Sequence, residues 1–312
     1  MSQAQYTRDV YGNTLVELGS RDASVVVLDA DLSGSTRTSF FRDKFPDRFV
    51  NFGVAEQNMM ASAAGLASCG KIVFASTFAM FATARALDQV RNSICYNNFN
   101  VKIVATHGGI TVGEDGASHQ ALEDINFFRA IPNMKIIVPC DGPETRSAVI
   151  AAYENPGPFY IRLGRAKVET IKNKAEFVLG KGYILEKGKD VAIVACGITV
   201  TEALGARVLL EKEGISATVA NLHTIKPIDQ DLIVDIATSH KGIIVCEEHQ
   251  IIGGLFSAVS EVLARRCPTR VEPIGIKDRF GQSGTPQELL DFYGLTSHSI
   301  AEKAKKLVRQ QS

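Results

Sequence analysis

VKIVATHGGITVGEDGASHQ, residues 101–120, holds two kinds of chain in one stretch. Its opening run, VKIVAT, is rich in β-branched and apolar residues without strict alternation, as a strand buried on both faces requires. From Thr106 to Gln120 the chain then carries four glycines, two histidines, one glutamate and one aspartate. A segment so rich in glycine is costly as helix or strand interior. An ordered loop is therefore expected at the carboxyl end of a buried strand, a position where loops usually carry function.

Working outward, SVVVLDA (24–30), KIVFAS (71–76), KIIVP (135–139) and PFYIRLG (158–164) repeat the strand pattern. Between them, EQNMMASAAGLASCG (56–70), FAMFATARALDQVRNSICYN (78–97) and GPETRSAVIAAYE (142–154) read as helices, the last with proline directly after glycine at its start. Apolar strands alternating with helices imply a parallel sheet covered on both faces. The polar stretch 165–190 interrupts this rhythm and reads as a connection with some strand pairing of its own. VAIVACG (191–197), SATVANL (216–222), GIIVCEE (242–248) and VEPIGI (271–276) then resume it, with helices expected near 200–213, 228–238, 253–266 and 297–310. The expected fold class is α/β, with two doubly wound, mostly parallel sheets. The expected division is a domain at 1–170, a linker at 171–189 and a smaller domain at 190–312.

The 312 residues suit two domains, and 45% hydrophobic content supports sizeable cores. Lys plus Arg and Asp plus Glu each total 34, which argues against a surface that works by neutralising nucleic-acid phosphates. No apolar run reaches the roughly 18 residues of a membrane span, and MSQAQYTRDV lacks the pattern of a secretory signal. A cytoplasmic protein is expected. The six cysteines are scattered and form no CxxC pair, so neither a zinc knuckle nor a redox dithiol is expected.

In an open parallel sheet, ligands bind beyond the carboxyl ends of the strands. The polar residues so placed are Asp29, Asp31 and Ser33; Glu56; the span from His107 to His119; and Arg162 with Arg165. No P-loop, dinucleotide fingerprint, EF-hand or HExxH pattern accompanies them. Glu56 opens an apolar helix. It serves there either as a favourable charge at the N-terminus or as a desolvated carboxyl that holds its proton. Phe78 and Phe81 are either a packed helix face or a platform for a flat ring. Gly253–Gly254 either lets helix and sheet approach closely or binds an anion.

GVAEQNM, TFAMFATA and ATHGGITVGEDGASHQALEDINFFRAIPNMKIIVPCDG together resemble the pyrimidine-binding domain of transketolases, and the second α/β unit resembles the transketolase C-terminal domain. The resemblance spans essentially the whole chain. The half of a transketolase that binds pyrophosphate and a divalent metal, with its GDG-containing motif, has no counterpart here. The chain therefore looks like the C-terminal subunit of a split transketolase.

The resemblance implies thiamine diphosphate as cofactor, with Mg2+ or Ca2+ held by residues of a partner N-terminal subunit, and an α2β2 heterotetramer. It implies transfer of a two-carbon ketol unit from a ketose phosphate to an aldose phosphate, a reaction of pentose phosphate metabolism. Glu56 matches the glutamate that hydrogen-bonds the aminopyrimidine. Phe78 and Phe81 match the aromatics around that ring, and Asp31 an acidic residue near the thiamine. Arg8 and Ser35 match phosphate-binding residues, and His107 and Asp115 residues that recognise sugar hydroxyls. His119 and Arg165 match substrate and phosphate contacts; catalytic roles fall to Glu56, His107 and His119. Arg8, His107, His119, Arg162 and Arg165 are expected to form a cationic channel for sugar phosphates.

Gly108–Gly109 and Ala117–Ser118 depart from the Asp-Ser and Pro-Thr of many transketolases, and Arg162 is similar to deoxyxylulose-phosphate synthases. Such a synthase, a 2-oxoacid dehydrogenase E1 beta subunit and a non-catalytic regulatory paralogue are the alternative readings.

Overall fold

The runs Val25–Asp29, Val101–Ala105, Phe159–Arg162, Val191–Ala195 and Ala217–Asn221 are buried at every position. Strands of this kind must lie inside sheets covered on both faces. The computed structural model, which describes residues 4–172 and 174–310, builds two such sheets. The strands of the first half are β1 (Ala4–Tyr6), β2 (Val25–Asp29), β3 (Phe49–Asn51), β4 (Ile72–Ser76), β5 (Val101–Ala105), β6 (Lys135–Ile137) and β7 (Phe159–Arg162). Those of the second half are β8 (Lys167–Glu169), β9 (Tyr183–Glu186), β10 (Val191–Ala195), β11 (Ala217–Asn221), β12 (Thr224–Lys226), β13 (Gly242–Gln250) and β14 (Arg270–Ile276).

The first sheet runs β12-β6-β7-β5-β4-β2-β3 and the second β14-β13-β10-β11-β9. Every pairing within them is parallel except β12 with β6 and β9 with β11. The expected fold class is therefore the observed one. β1 and β8 form a separate antiparallel ribbon. The stretch expected to connect the two units gives β8 to that ribbon and β9 to the second sheet. Residues 1–3, 173 and 311–312 of the expected domain and linker spans lie outside the described residues.

Each sheet has a point where the strand order reverses, and there the flanking loops diverge to leave a crevice. In the first sheet β2 leads outward to β3 on one side and to β4, β5 and β7 on the other. In the second, β10 leads to β11 on one side and to β13 and β14 on the other.

The two units are stitched together. β12 comes from the second half of the chain yet extends the first sheet. The Val138 N–H donates to the His223 carbonyl at 2.8 Å, and the Gly197 N–H to the Val138 carbonyl at 3.2 Å. Ile110 and Leu122, at the two ends of the glycine-rich loop, are buried in the same apolar cluster as Val191, Cys246 and Leu289 of the second unit.

Cys95, Cys140, Cys196 and Cys246 are buried and unbridged, packed as small apolar residues. No described helix is long and apolar enough to cross a membrane.

Candidate active site

The first switch point collects most of the residues singled out above. Glu56 is the first residue of the helix Glu56–Ser68, which follows β3, and it is 2% exposed. Its Oε1 accepts a hydrogen bond from Arg85 Nη1 at 2.8 Å. Its Oε2 is buried without a partner. Of the two readings of Glu56, burial bears on the second, but the carboxylate also has a charged neighbour that its own apolar sequence surroundings did not reveal.

Beyond β4 the chain winds as two wide π-type segments, Phe81–Arg85 and Gln89–Cys95, a geometry found often at functional sites. The first places the Arg85 guanidinium 4.4 Å over the Phe81 ring. Phe81 stacks near Phe78, with centroids 5.8 Å apart, and Phe78 stacks on His107 at 3.8 Å. His119 meets the Phe81 ring edge-on at 5.4 Å. Glu56, Arg85, Phe81, Phe78, His107 and His119 thus form one continuous cluster built from the segments after β3, β4 and β5. Between the two readings of the phenylalanine pair, the structure supports both: Phe78 is buried, while Phe81 stays half-buried at the crevice.

His107 is buried and adopts a left-handed backbone, φ 61°. Burial pushes its imidazole down to about 3, and the charges of Arg8, Arg165 and His119 push the same way. The ring is therefore neutral at ordinary pH, and its Nδ1 is engaged with Thr106 Oγ1 at 2.8 Å. Chemistry toward a ligand falls to Nε2.

Arg8 reaches the Ser35 carbonyl at 3.2 Å, and its buried Nε has no partner. Arg165 donates to the Val112 carbonyl and to Glu114 Oε2, the latter at 2.9 Å. Asp31 sits at the end of β2 with φ 64°, held by a reciprocal pair of 3.0 Å hydrogen bonds with Asn51 rather than by the aromatic cluster. Asp115 is exposed on the loop, and Ser118 Oγ lies 3.0 Å from His119 Nδ1.

Arg162 is a correction. It does not line a channel: it is 5% exposed, and its Nε donates to Asp124 Oδ2 at 2.7 Å. Its Nη2 donates to the carbonyls of Ala121 and Glu248. Next to β5 it lies under the loop rather than in the crevice. Gly253–Gly254 resolves toward close approach. A side chain at Gly254 would overlap Glu247, whose carboxylate already accepts the N–H groups of Leu255 and Phe256 at 2.7 and 2.8 Å.

Arg85 and Glu248 are the residues the sequence reading missed. Arg85 lies four residues after Phe81 on a helical stretch, a spacing that puts the two on one face. Glu248 closes the strand run GIIVCEE, near the carboxyl end where the search for site residues was made.

An aminopyrimidine ring needs a hydrogen-bonding carboxyl and an apolar face. The unpaired Oε2 of Glu56, whose other oxygen is joined through Arg85 to the Phe81 ring, answers both needs. Residues 3–170 match the transketolase pyrimidine binding domain and residues 180–300 the transketolase C-terminal domain. A Methanocaldococcus jannaschii protein, provisionally named as a transketolase C-terminal section, is 50% identical over 97% of this chain and 96% of its own. A 6-deoxy-6-sulfo-D-fructose transketolase subunit of Clostridium sp. is 38% identical over 99% and 97%. Among solved structures, a split gene transketolase described as an inactive beta4 tetramer aligns with TM-score 0.90 at 50% identity, over 97% of this chain and 98% of that one.

Proposed function

The chain belongs to the transketolase family, and from that premise we propose that it supplies the aminopyrimidine side of a thiamine diphosphate site. Acting with a partner chain that carries the pyrophosphate and metal side, it moves a two-carbon ketol unit from a ketose phosphate to an aldose phosphate. The observation that carries this reading is the buried, unpartnered Oε2 of Glu56, linked through Arg85 to the Phe81 ring.

When bound, the cofactor supplies a nucleophilic carbon and an electron sink for the two-carbon fragment. The chain's own residues do the rest. Glu56 holds a proton between Oε2 and a ring nitrogen of the aminopyrimidine, while Arg85 fixes the other oxygen. Phe81 packs against the ring, and the Arg85 guanidinium over Phe81 holds it in place. His107, kept neutral, donates or accepts at Nε2 toward a sugar hydroxyl without placing a second charge beside the arginines. His119 and Asp115 face the sugar from the loop. Asp31 lies toward the thiamine. Arg8, with its free buried Nε, and Arg165 hold the phosphate near Ser35.

Dependence on a partner is part of the proposal: a relative built from this kind of chain alone is described as an inactive tetramer. The intended assembly is an α2β2 heterotetramer, with Mg2+ or Ca2+ held by the partner. The test is co-expression with an N-terminal-type transketolase chain, followed by a ketol-transfer assay over phosphorylated and sulfonated ketoses. Transfer by the pair, with none by either chain alone, supports the reading. The absence of transfer from a pair shown to bind thiamine diphosphate overturns it.

A further inference from the structure

The second sheet has its own switch point, between β10 and β13, and this crevice is filled by the first unit. Glu248, at the carboxyl end of β13, turns its Oε1 to the Thr111 N–H of the glycine-rich loop at 2.7 Å. Gly109 lies against the same carboxylate so closely that any side chain there would overlap it, and Gly109 has φ 89°. Gly108 rests on Arg162, where an added Cβ would come within 2.9 Å of the side chain. Arg162 in turn grips the Glu248 carbonyl at 3.0 Å. The two glycines that depart from the Asp-Ser of many transketolases are thus the two that let Arg162 and Glu248 come up beneath the loop.

His107 directly precedes this pair of glycines. Its left-handed backbone is unusual for a residue with a side chain and persists only where its surroundings enforce it. On one side the enforcement is the strand-like pairing of Thr106 with Phe78. On the other it is the seat formed by Arg162 and Glu248. Resting on the functional reading above, we propose that Glu248 is a positioning residue: from the C-terminal unit it sets the loop at Gly109 and Thr111 and so holds the His107 ring on Phe78. It touches neither ring; its effect passes through the backbone of residues 107–111.

Two readouts test this. In the full chain labelled with 13C at histidine Cε1, His107 is assigned through His107→Asn. Its signal in the wild type is shifted upfield by the stacked Phe78 ring and does not titrate between pH 8 and 5. Glu248→Ala is expected to move the signal downfield and let it titrate near the ordinary histidine value of about 6.5. Glu248→Gln, which keeps a carbonyl oxygen for the Thr111 N–H, is expected to leave it in place. A merely structural role would lower the melting temperature but leave the His107 signal of the folded chain unmoved, and that result overturns the proposal. In the complex with its partner, Glu248→Ala is expected to lower kcat/KM for the ketose donor by about 10- to 100-fold, with Glu248→Gln restoring most of it. Equal losses in both variants also overturn the proposal. If no form of the complex transfers ketol units, the functional reading fails, and the NMR arm still decides the positioning role.

Discussion

The chain builds the same crevice twice and uses it in opposite ways. At the switch point of the first sheet a buried carboxylate oxygen is left without a partner, beside a half-buried aromatic ring. At the switch point of the second, the Glu247 carboxylate takes two backbone N–H groups and Glu248 takes one from the other unit. A buried polar atom left unpaired costs on the order of 1–3 kcal/mol. Both crevices bear that cost, since Glu248 Oε2 and His249 Nε2 go unpaired at the second as Glu56 Oε2 does at the first; what differs is that the glycine-rich loop fills the second, while the first is lined by the half-buried Phe81 and the half-exposed Arg85. The contrast teaches that topology offers a site but does not make one; what makes it is a crevice that no neighbouring segment of the chain fills.

The contrast can be broken most directly at Glu56. In the partnered enzyme Glu56→Ala is expected to lower kcat by about 10²–10⁴-fold, the usual worth of a positioned proton-transfer group. The lost Arg85 contact matters little to stability, because Arg85 is half exposed and such pairs contribute about 0–1 kcal/mol. Turnover near the wild-type value, measured by steady-state kinetics, would remove Glu56 from the chemistry. A large drop in the urea midpoint would make it a structural residue like those of the closed crevice.

Arg162→Met should show the reverse. It strips the buried partner from Asp124, whose Oδ2 keeps only the Tyr160 hydroxyl at 2.6 Å. Breaking such a buried pair from one side typically costs about 3–5 kcal/mol. Chemical denaturation should show that loss in the isolated chain, with no partner needed. A variant as stable as the wild type would mean that the closed crevice is not held by its charges.

These two residues also show what the sequence could tell. Glu56 follows a strand run and Arg162 ends one, and by position alone both qualified as site residues. The strand runs themselves were legible because strands buried on both faces leave unbroken apolar stretches, and β2, β4, β5, β7, β10, β11, β13 and β14 all stand close to where those stretches lie. Short strands such as β9 and β12 left no comparable run, and β12 could not be assigned to the first sheet because its pairing is purely long-range. The cluster of Glu56, the two phenylalanines and the two histidines was legible through the resemblance. Arg162 was misread because a sequence shows that a cation follows a strand but not that Asp124 and the Glu248 carbonyl already meet it.

The smallest expected effect separates the crevices by pH. Burial pushes the Glu247 carboxyl up to about 7, against the pull of the Phe256 and Leu255 N–H groups and of Arg162 and Arg129. A carboxyl whose folded value exceeds its unfolded value near 4.5 favours folding at low pH, and that stability drains away as pH rises through 7. His107, pushed down to about 3, has the opposite sign. Its contribution is complete above about 6.5 and is lost on acidification toward the folded value. His249, buried beside Glu247 and pushed down to about 4, adds to that acid limb from the closed crevice. Thermal melts across pH 4–9 should therefore show Glu247→Gln removing a downward slope between about pH 4.5 and 7, worth up to about 1.4 kcal/mol per pH unit. His107→Asn should flatten only part of the acid limb, because His249 remains. The readout is a difference of slopes, so a uniform loss of stability in either variant leaves it intact. A slope between about pH 4.5 and 7 unchanged by Glu247→Gln would mean that the second crevice admits water to its carboxylate. The two crevices would then differ in what they bind rather than in whether they are closed.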